Sequence, residues 1–452
     1  MKILTVLRTA LLGSVTIVAL NASARADFNE DQQVCNQATG AVDMRIAACT
    51  RQIESGKWEG HNLGVSYNNR GTAYRDKGDP DHAIADYNKT IELDPKYQIA
   101  WYNRGNAYVD KKDLDRAIPE YSQAIALDAT YVVAYYGRAS AYLNKKDYNR
   151  AIADYDQAIK NNPKFAVAYN ERGVAYVNKQ DNDRAIADFS QAIQLDPKYA
   201  LAYSNRAVAY KAKGDLDHVI ADFTQVITLN PSIVAYNERG SAYKDKQDYD
   251  HSIADYTKAI EINPKVTTLY SNRAIAYRYK GDFDHATWDY SQMLQLEPKN
   301  WNALFSRGHL AVLTSALPAA ISDLNQAAAI MPKNLYAALW LEIANKHSHA
   351  ASQLAEATKQ LDMTVWPAPV VRFYLGQLTA EALSAAANSG DAKARTFQIC
   401  ELNFYTGEWL LAQGKKDDAI GLFRLTAANT CQGDLVEYES AKAELKTLGM
   451  TQ

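Results

Sequence analysis

The sequence predicts an all-α solenoid, a superhelix of antiparallel helix pairs followed by a helical C-terminal region. Three observations predict it. The stretch Trp101-Tyr102-Asn103-Arg104-Gly105-Asn106-Ala107-Tyr108 recurs about every 34 residues, with close copies from Tyr67, Tyr135, Tyr169, Tyr203, Tyr236 and Tyr270 and a weaker one from Leu304. Each copy is followed by a second block such as Ala83-Ile84-Ala85-Asp86-Tyr87, and most repeats close on a proline: Pro95, Pro163, Pro197, Pro231, Pro264, Pro298 and Pro332. Within both blocks, small and aromatic residues recur at helical spacing rather than in strand alternation.

The chain has 452 residues and a net charge of -3, with Lys and Arg spread along the repeats. That distribution lacks the clustered basic footprint of a nucleic-acid binder. Because each repeat buries itself against its neighbours, length does not count domains here.

Taken in order, residues 1–26 read as a secretory signal peptide. Lys2 and Arg8 supply positive charge, Thr9 to Leu20 is uncharged, and Ala24-Arg25-Ala26 offers a cleavage site before Asp27. The apolar run is shorter than the roughly 20 residues of a membrane span. The expected product is therefore periplasmic and not an integral membrane protein after signal removal. No cysteine lies near the cleavage site to carry a lipid.

Residues 27–63 read as a decayed N-terminal capping repeat, with Gly40 in the interhelical position. Its cysteines, Cys35 and Cys49, fall on the first and second helix, so a disulfide is expected across the hairpin. Closing a loop of about 15 residues is worth about 3 kcal/mol in the chain-entropy model.

Residues 64–334 read as eight repeats, numbered here 1 to 34 from Gly64, Gln98, Val132, Ala166, Ala200, Ile233, Thr267 and Trp301, the fifth being one residue short. Gly78, Gly214 and Gly281 stand where a helix would end in the left-handed conformation. The next residue is Asp in seven repeats, from Asp79 to Asp282, an N-cap acceptor for the second helix. Pro80 suits the first helical position, and the closing prolines place the second-helix ends just before them. Pro119, inside a second helix, removes a hydrogen bond and predicts a kink.

Position 7 is Arg in all eight repeats and position 23 is acidic in all eight. In a hairpin turning near position 15 the two face each other, so each repeat is expected to hold an Arg–carboxylate pair between its helices. Such pairing is what partial burial of charge requires.

This pattern of aromatic, Gly, Tyr, Ala, aromatic and Pro at a 34-residue period resembles the tetratricopeptide repeat (TPR). The resemblance implies helix pairs that present a concave groove to protein or peptide partners. Tyr102 and Tyr136 at position 5, and Asn69, Asn103, Asn205 and Asn272 at position 6, are the candidate groove residues. An Asn amide offers both donors and an acceptor to the backbone of an extended peptide. The Lys/Asn clamp of some chaperone-binding TPR domains is absent, since positions 5 and 9 of the first repeat are Asn68 and Thr72.

Residues 335–452 are expected to be helical, with two helices over 335–363, an extended turn at Trp366-Pro367-Ala368-Pro369, a final TPR-like repeat at 400–433 and a capping helix over 434–449. In that register Cys400 and Cys431 lie at the same end of a hairpin, so a second disulfide is expected. Phe373-Tyr374-Leu375-Gly376, Asn403-Phe404-Tyr405-Thr406-Gly407 and Ala419 to Phe423 resemble the C-terminal part of the NlpI-type bacterial envelope TPR lipoproteins. That resemblance implies a cell-envelope location, an adaptor role that brings wall hydrolases to a protease, and a homodimer.

No catalytic constellation is present: there is no phosphate loop, nucleophile motif or HExxH. No metal site or cofactor is expected. His82, His218, His251 and His285 share position 19, in repeats that stack about 10 Å from one to the next on the helix-packing scale, too far for a shared metal, and His347 and His349 point in different directions. The sequence therefore reads as a non-catalytic periplasmic scaffold or adaptor for protein segments, linked to envelope proteolysis or cell-wall enzyme control. The alternative is a non-catalytic subunit of an envelope assembly or secretion complex.

Overall fold

The computed structural model describes residues 28–37, 40–428, 431 and 436–450. The expected signal peptide lies outside the described residues. Every regular element among them is a helix, and none is long and apolar enough to cross a membrane. The chain divides into two compact bodies, one up to Ala202 and one from Tyr203 onward.

The first body begins with α1 (Phe28–Asn36) and α2 (Val42–Glu54), joined by the Cys35–Cys49 disulfide. Both cysteines are buried, and Arg45 of α2 reaches Asp76 of the next helix at 2.8 Å. Then come the pairs α3 (Gly60–Lys77) and α4 (Pro80–Leu93), α5 (Gln98–Asp110) and α6 (Leu114–Leu127), α7 (Val132–Asn144) and α8 (Tyr148–Asn161), and α9 (Ala166–Asn178) and α10 (Asn182–Leu195). The helix α11 (Ala200–Ala212) begins in the first body. The second body continues with α12 (Leu216–Leu229), α13 (Ile233–Asp245), α14 (Tyr249–Ile262), α15 (Thr267–Lys280), α16 (Phe283–Leu296), α17 (Trp301–Leu313) and α18 (Leu317–Ile330).

The sequence signals act where they stand. The carboxylates of Asp79 and Asp113 accept the N–H groups of His82 and Arg116 at 3.2 and 3.0 Å, satisfying donors that a helix start leaves open. Gly78, Gly214 and Gly281 take φ of 84°, 76° and 80°, and Lys112, Lys146, Gln180, Gln247 and Ser315 occupy the same left-handed position in other repeats. The helix α6 runs through Pro119 without interruption.

Two devices hold a repeat together. The small residue at position 8 lets the aromatic at position 24 lie against the backbone: a Cβ added at Gly173 would sit 2.6 Å from Phe189. The second device is the arginine at position 7. All eight, from Arg70–Asp86 to Arg307–Asp323, bind the acid at position 23 at 2.6–2.8 Å. Seven do so with two parallel bonds, while Arg104 places both on one oxygen of Glu120. The guanidinium then does something the pairing argument did not anticipate. Arg70, Arg104, Arg138, Arg172, Arg239, Arg273 and Arg307 each extend Nη1 to the preceding hairpin, reaching Thr50, Asn88, Ser122, Asp156, Thr224, Thr257 and Ser291 at 2.5–3.2 Å. Each arginine therefore ties two repeats.

Beyond α18 lie α19 (Leu335–His347), α20 (Leu354–Ala357), α21 (Ala368–Tyr374), α22 (Ala380–Ala387), α23 (Ala392–Ala412), α24 (Lys416–Thr426) and α25 (Val436–Thr447). Residues 335–363 hold two helices, α19 and α20, the second only four residues long. His349 takes the left-handed conformation and ends α19, Ser352 is spent on Glu342 and the N–H of Leu354, and only the four-residue turn α20 follows. The core of this region is built on Trp340, Phe404, Tyr405 and Phe423, all fully buried, and Cys400 and Cys431 are bonded.

Candidate functional site

The first helices of the repeats carry the candidate groove residues. In the first body Tyr102 of α5 packs 5.8 Å from Tyr121 and, edge-on, 5.6 Å from Tyr131. Tyr136 of α7 repeats the arrangement with Tyr155 at 5.9 Å and Phe165 at 5.3 Å. The rings at position 24 are fixed from the other side by position 9: Tyr121 donates to Asn106 at 2.7 Å, and the Tyr155 hydroxyl meets Ser140 at 3.1 Å. Tyr102 and Tyr136 are thus each held between two aromatic rings yet keep part of each ring exposed.

Glu171 of α9 belongs to the same surface. Burial pushes its carboxyl up, its one hydrogen bond comes from Asn170 at 3.0 Å, and no cation pairs with it among the described residues. Its charge adds to the burial that raises the Tyr136 hydroxyl to about 12 and the Tyr199 hydroxyl higher still. The first body therefore presents an aromatic shelf with one uncompensated carboxylate.

The position-6 asparagines do not simply face solvent, as the groove reading requires. They are half-buried, and their amides bridge successive hairpins: Asn69 donates to Asn36 at 2.9 Å, Asn103 to Asn68 at 2.9 Å, and Asn272 to Asn237 at 2.8 Å. Asn205 is half-buried and has partners of its own. An amide carries two N–H groups, so each bridge leaves one donor for a ligand. The structure brings Asn69, Tyr102, Asn103 and Tyr136 together in the first body and places Asn205 and Asn272 in the second.

In the second body the chain covers its own first helices. Glu439 of α25 meets Arg278 of α15 at 2.7 Å, and Ser440 meets His309 of α17 at 2.9 Å. His309 is fully buried, and that burial, with the Arg278 charge, holds its imidazole neutral. These contacts span 161 and 131 residues, which no local pattern reveals.

The helix α25 also completes two layers of buried acid. Glu401 and Glu408 lie seven apart on α23, and Glu437 and Glu444 seven apart on α25. In one layer Glu401 accepts from Tyr336 at 3.1 Å and from the Trp366 indole, and Glu437 accepts from Tyr405 at 2.8 Å. In the other, His347 of α19 contacts Glu408 at 2.9 Å beside Glu444. Sequence reasoning missed the four glutamates and set His347 aside. The seven-residue spacing of acids on both helices was the available signal.

His82, His218, His251 and His285 pair with their own N-cap aspartates and stack on Tyr74, Tyr210, Tyr243 and Tyr277 at 4.5–5.1 Å. An open cleft lies between the interhelical turns at Lys145–Asn149 and Lys179, where Lys145 is engaged with Asp115 and Lys179 with Asn149.

Two tetratricopeptide repeat family models match the chain, one at residues 68–132, 136–200, 171–232 and 271–334 and the other at 233–266. Among solved structures the chain is similar to MamA at 30% identity, over 35% of this chain and 93% of that one, with a TM-score of 0.34. It is similar to YrrB, described as a TPR protein with an unusual peptide-binding site, at 24% identity over 39% and 92% of the two chains, TM-score 0.36. It is also similar to the C-terminal part of a TPR protein from Cytophaga hutchinsonii at 18% identity over 54% and 99%, TM-score 0.46.

Proposed function

Because the chain belongs to the tetratricopeptide repeat family, we propose that it is a non-catalytic scaffold that holds extended protein segments on the first-helix surface of residues 64–202. The observation that carries this reading is the half-exposed pair Tyr102 and Tyr136, fixed in place beside the unpaired Glu171. Rigid aromatic rings give contact area at little cost in entropy. A Lys or Arg of the bound segment would compensate Glu171, so the favoured ligand is an extended segment with a basic residue between apolar ones. The remaining amide donors of Asn69 and Asn103 would meet its backbone, each bond adding about 0.5–1.5 kcal/mol.

In this reading residues 64–334 form the repeat array and residues 335–452 a region that closes it and supports an adaptor role. The two disulfides fit an oxidising compartment. Together with the signal-peptide reading they support a periplasmic site of action. The NlpI-type resemblance of the C-terminal region supports an envelope adaptor that dimerises and links substrates to proteolysis.

The test is a photo-crosslinking residue at position 136 in cells, followed by titration of the captured segment. Tyr102→Ala with Tyr136→Ala should weaken binding about five- to a hundred-fold, the range for losing about 1–3 kcal/mol. Asn69→Ala with Asn103→Ala should weaken it less, and Glu171→Gln should lower the preference for basic segments. Unchanged affinity in a tyrosine double variant with native circular dichroism would move the site off this surface.

A further inference from the structure

The layer formed by His347, Glu408 and Glu444 has a chemistry that the scaffold reading does not use. The three residues come from three helices, α19, α23 and α25, and one ligand-type atom of each lies within 4.8 Å of the others. Glu408 and Glu444 are 4% and 9% exposed, and His347 is more open, with its side chain 24% exposed. Glu408 is satisfied by His347. Glu444 is not satisfied: it is nine-tenths buried, points into the cluster, and accepts no hydrogen bond from any described residue.

Packing does not explain this arrangement. Two buried carboxylates share a single imidazole here, and a buried carboxylate is held by a proton, a paired cation or a metal. The Lys346 ammonium, on the same helix as His347, is directed instead to Glu342 at 3.6 Å. A dication at the centre would balance both carboxylates. Ligand atoms around a tetrahedral ion at about 2.0–2.2 Å sit about 3.3–3.6 Å apart, so an ion would part the 2.9 Å His347–Glu408 contact and draw in Glu444, whose carboxylate lies within 4.8 Å of both. The donor set selects among ions. Calcium and magnesium take oxygen ligands, whereas one imidazole and two carboxylates suit a first-row transition ion. Three protein ligands, of which His347 is the most exposed, match a site whose fourth position is completed by water.

We propose that His347, Glu408 and Glu444 bind one divalent transition-metal ion, zinc being the best match, and that this ion fastens α25 to α19 and α23. The consequence reaches the repeats, because the same helix places Glu439 on Arg278 and Ser440 on His309. Metal occupancy therefore sets how firmly the chain's own helix covers the first-helix surface of α15 and α17. This inference stands apart from the peptide reading, since it uses no residue of the Tyr102–Tyr136 shelf.

The experiment uses the full mature chain, stripped with chelator and titrated with zinc by calorimetry, with cobalt as an optical probe and calcium as the oxygen-seeking control. One tight zinc per chain is expected, with visible d–d bands from cobalt, no response to calcium, and slower hydrogen exchange in α25 when zinc is present. Glu444→Gln, which removes the charge and keeps the shape, should lower zinc affinity by about 100-fold or more, exceeding the loss from altering a residue behind a ligand. His347→Ala should do the same. If that variant does not fold, Glu444→Gln decides the matter alone. The exposed His–Asp pairs at position 19 are the competing zinc sites. Zinc uptake and α25 protection that are unchanged in Glu444→Gln, or no tight site in the wild-type chain, would overturn the proposal.

Discussion

In the repeats the acid at position 23 meets an arginine from its own hairpin in every copy, through an ion pair of 2.6–2.8 Å. After α18 the chain buries Glu342, Glu401, Glu408, Glu437 and Glu444, each 9% exposed or less, and none of them forms an ion pair with an arginine among the described residues. The partners of the first four are hydroxyls, an indole, an imidazole and one lysine at 3.6 Å. The two regions share a helix-pair architecture and similar packing, so the difference lies in charge. A matched pair is insensitive to protons across the neutral range, because Arg stays charged throughout. An unmatched set of carboxylates makes the region depend on what else neutralises it.

The largest effect expected from this contrast is on the matched side. Asp289 is fully buried and Arg273 nearly so, with its side chain 10% exposed. Arg273→Ala should cost about 3–5 kcal/mol, because it strands a buried carboxylate. Arg307, with its side chain 29% exposed, should cost less when truncated. Urea unfolding of both variants, with Asp289→Ala to close a double-mutant cycle, measures this. A coupling energy near zero would remove the repeats' side of the comparison.

A smaller effect tests where the regions should agree. A Cβ at Gly173 would lie 2.6 Å from Phe189, and one at Gly407 would lie 2.7 Å from Phe423. Gly173→Ala and Gly407→Ala should each cost about 1–3 kcal/mol by overpacking. Thermal melts that show one tolerated and the other not would mean that the packing differs as well as the charge.

The smallest effect per step is on the unmatched side, and it has the opposite sign. Glu437 is pushed up to about 8 by burial and by the charge of Glu401. It faces Glu401 and Tyr405 of α23, with Arg278 of α15 acting to lower it. Between about pH 4.5 and 8 the folded chain keeps this proton while the unfolded chain has lost it. Stability should therefore fall as pH rises through that window, by at most about 1.4 kcal/mol per pH unit for one proton. Glu437→Gln should flatten the slope and stabilise the region at pH 8. Hydrogen exchange of α23 and α25 in chelator, measured at pH 5 and 8, reads it. A slope unchanged by the substitution would assign the sensitivity to other groups.

Local features were legible in the sequence. The 34-residue period, the aspartate caps and the Arg–acid register each depend on residues within one hairpin, so spacing alone carries them. The asparagine bridges were not legible, because an amide at position 6 reads the same whether it faces a ligand or Asn68 of the preceding hairpin. The return of α25 to Arg278 crosses 161 residues, and the His347–Glu408–Glu444 cluster gathers one residue from each of three helices. The shortness of the second helix over 335–363 turned on single residues, the left-handed His349 and the diverted Ser352, within a segment rich in helix formers.

The third bond of seven of the position-7 arginines also governs how the array comes apart. A stack of repeats behaves as a one-dimensional lattice in which every junction resists a boundary between ordered and melted sites. Arg138 belongs to one repeat's ion pair and also grips Ser122 in the repeat before it, so that melting either loosens a charge in the other. Such a junction penalises boundaries strongly and lengthens the stretch that opens as one event. Within each body, amide exchange should then proceed in blocks of several repeats, with fraying favoured at ends where a disulfide does not hold the last hairpin closed.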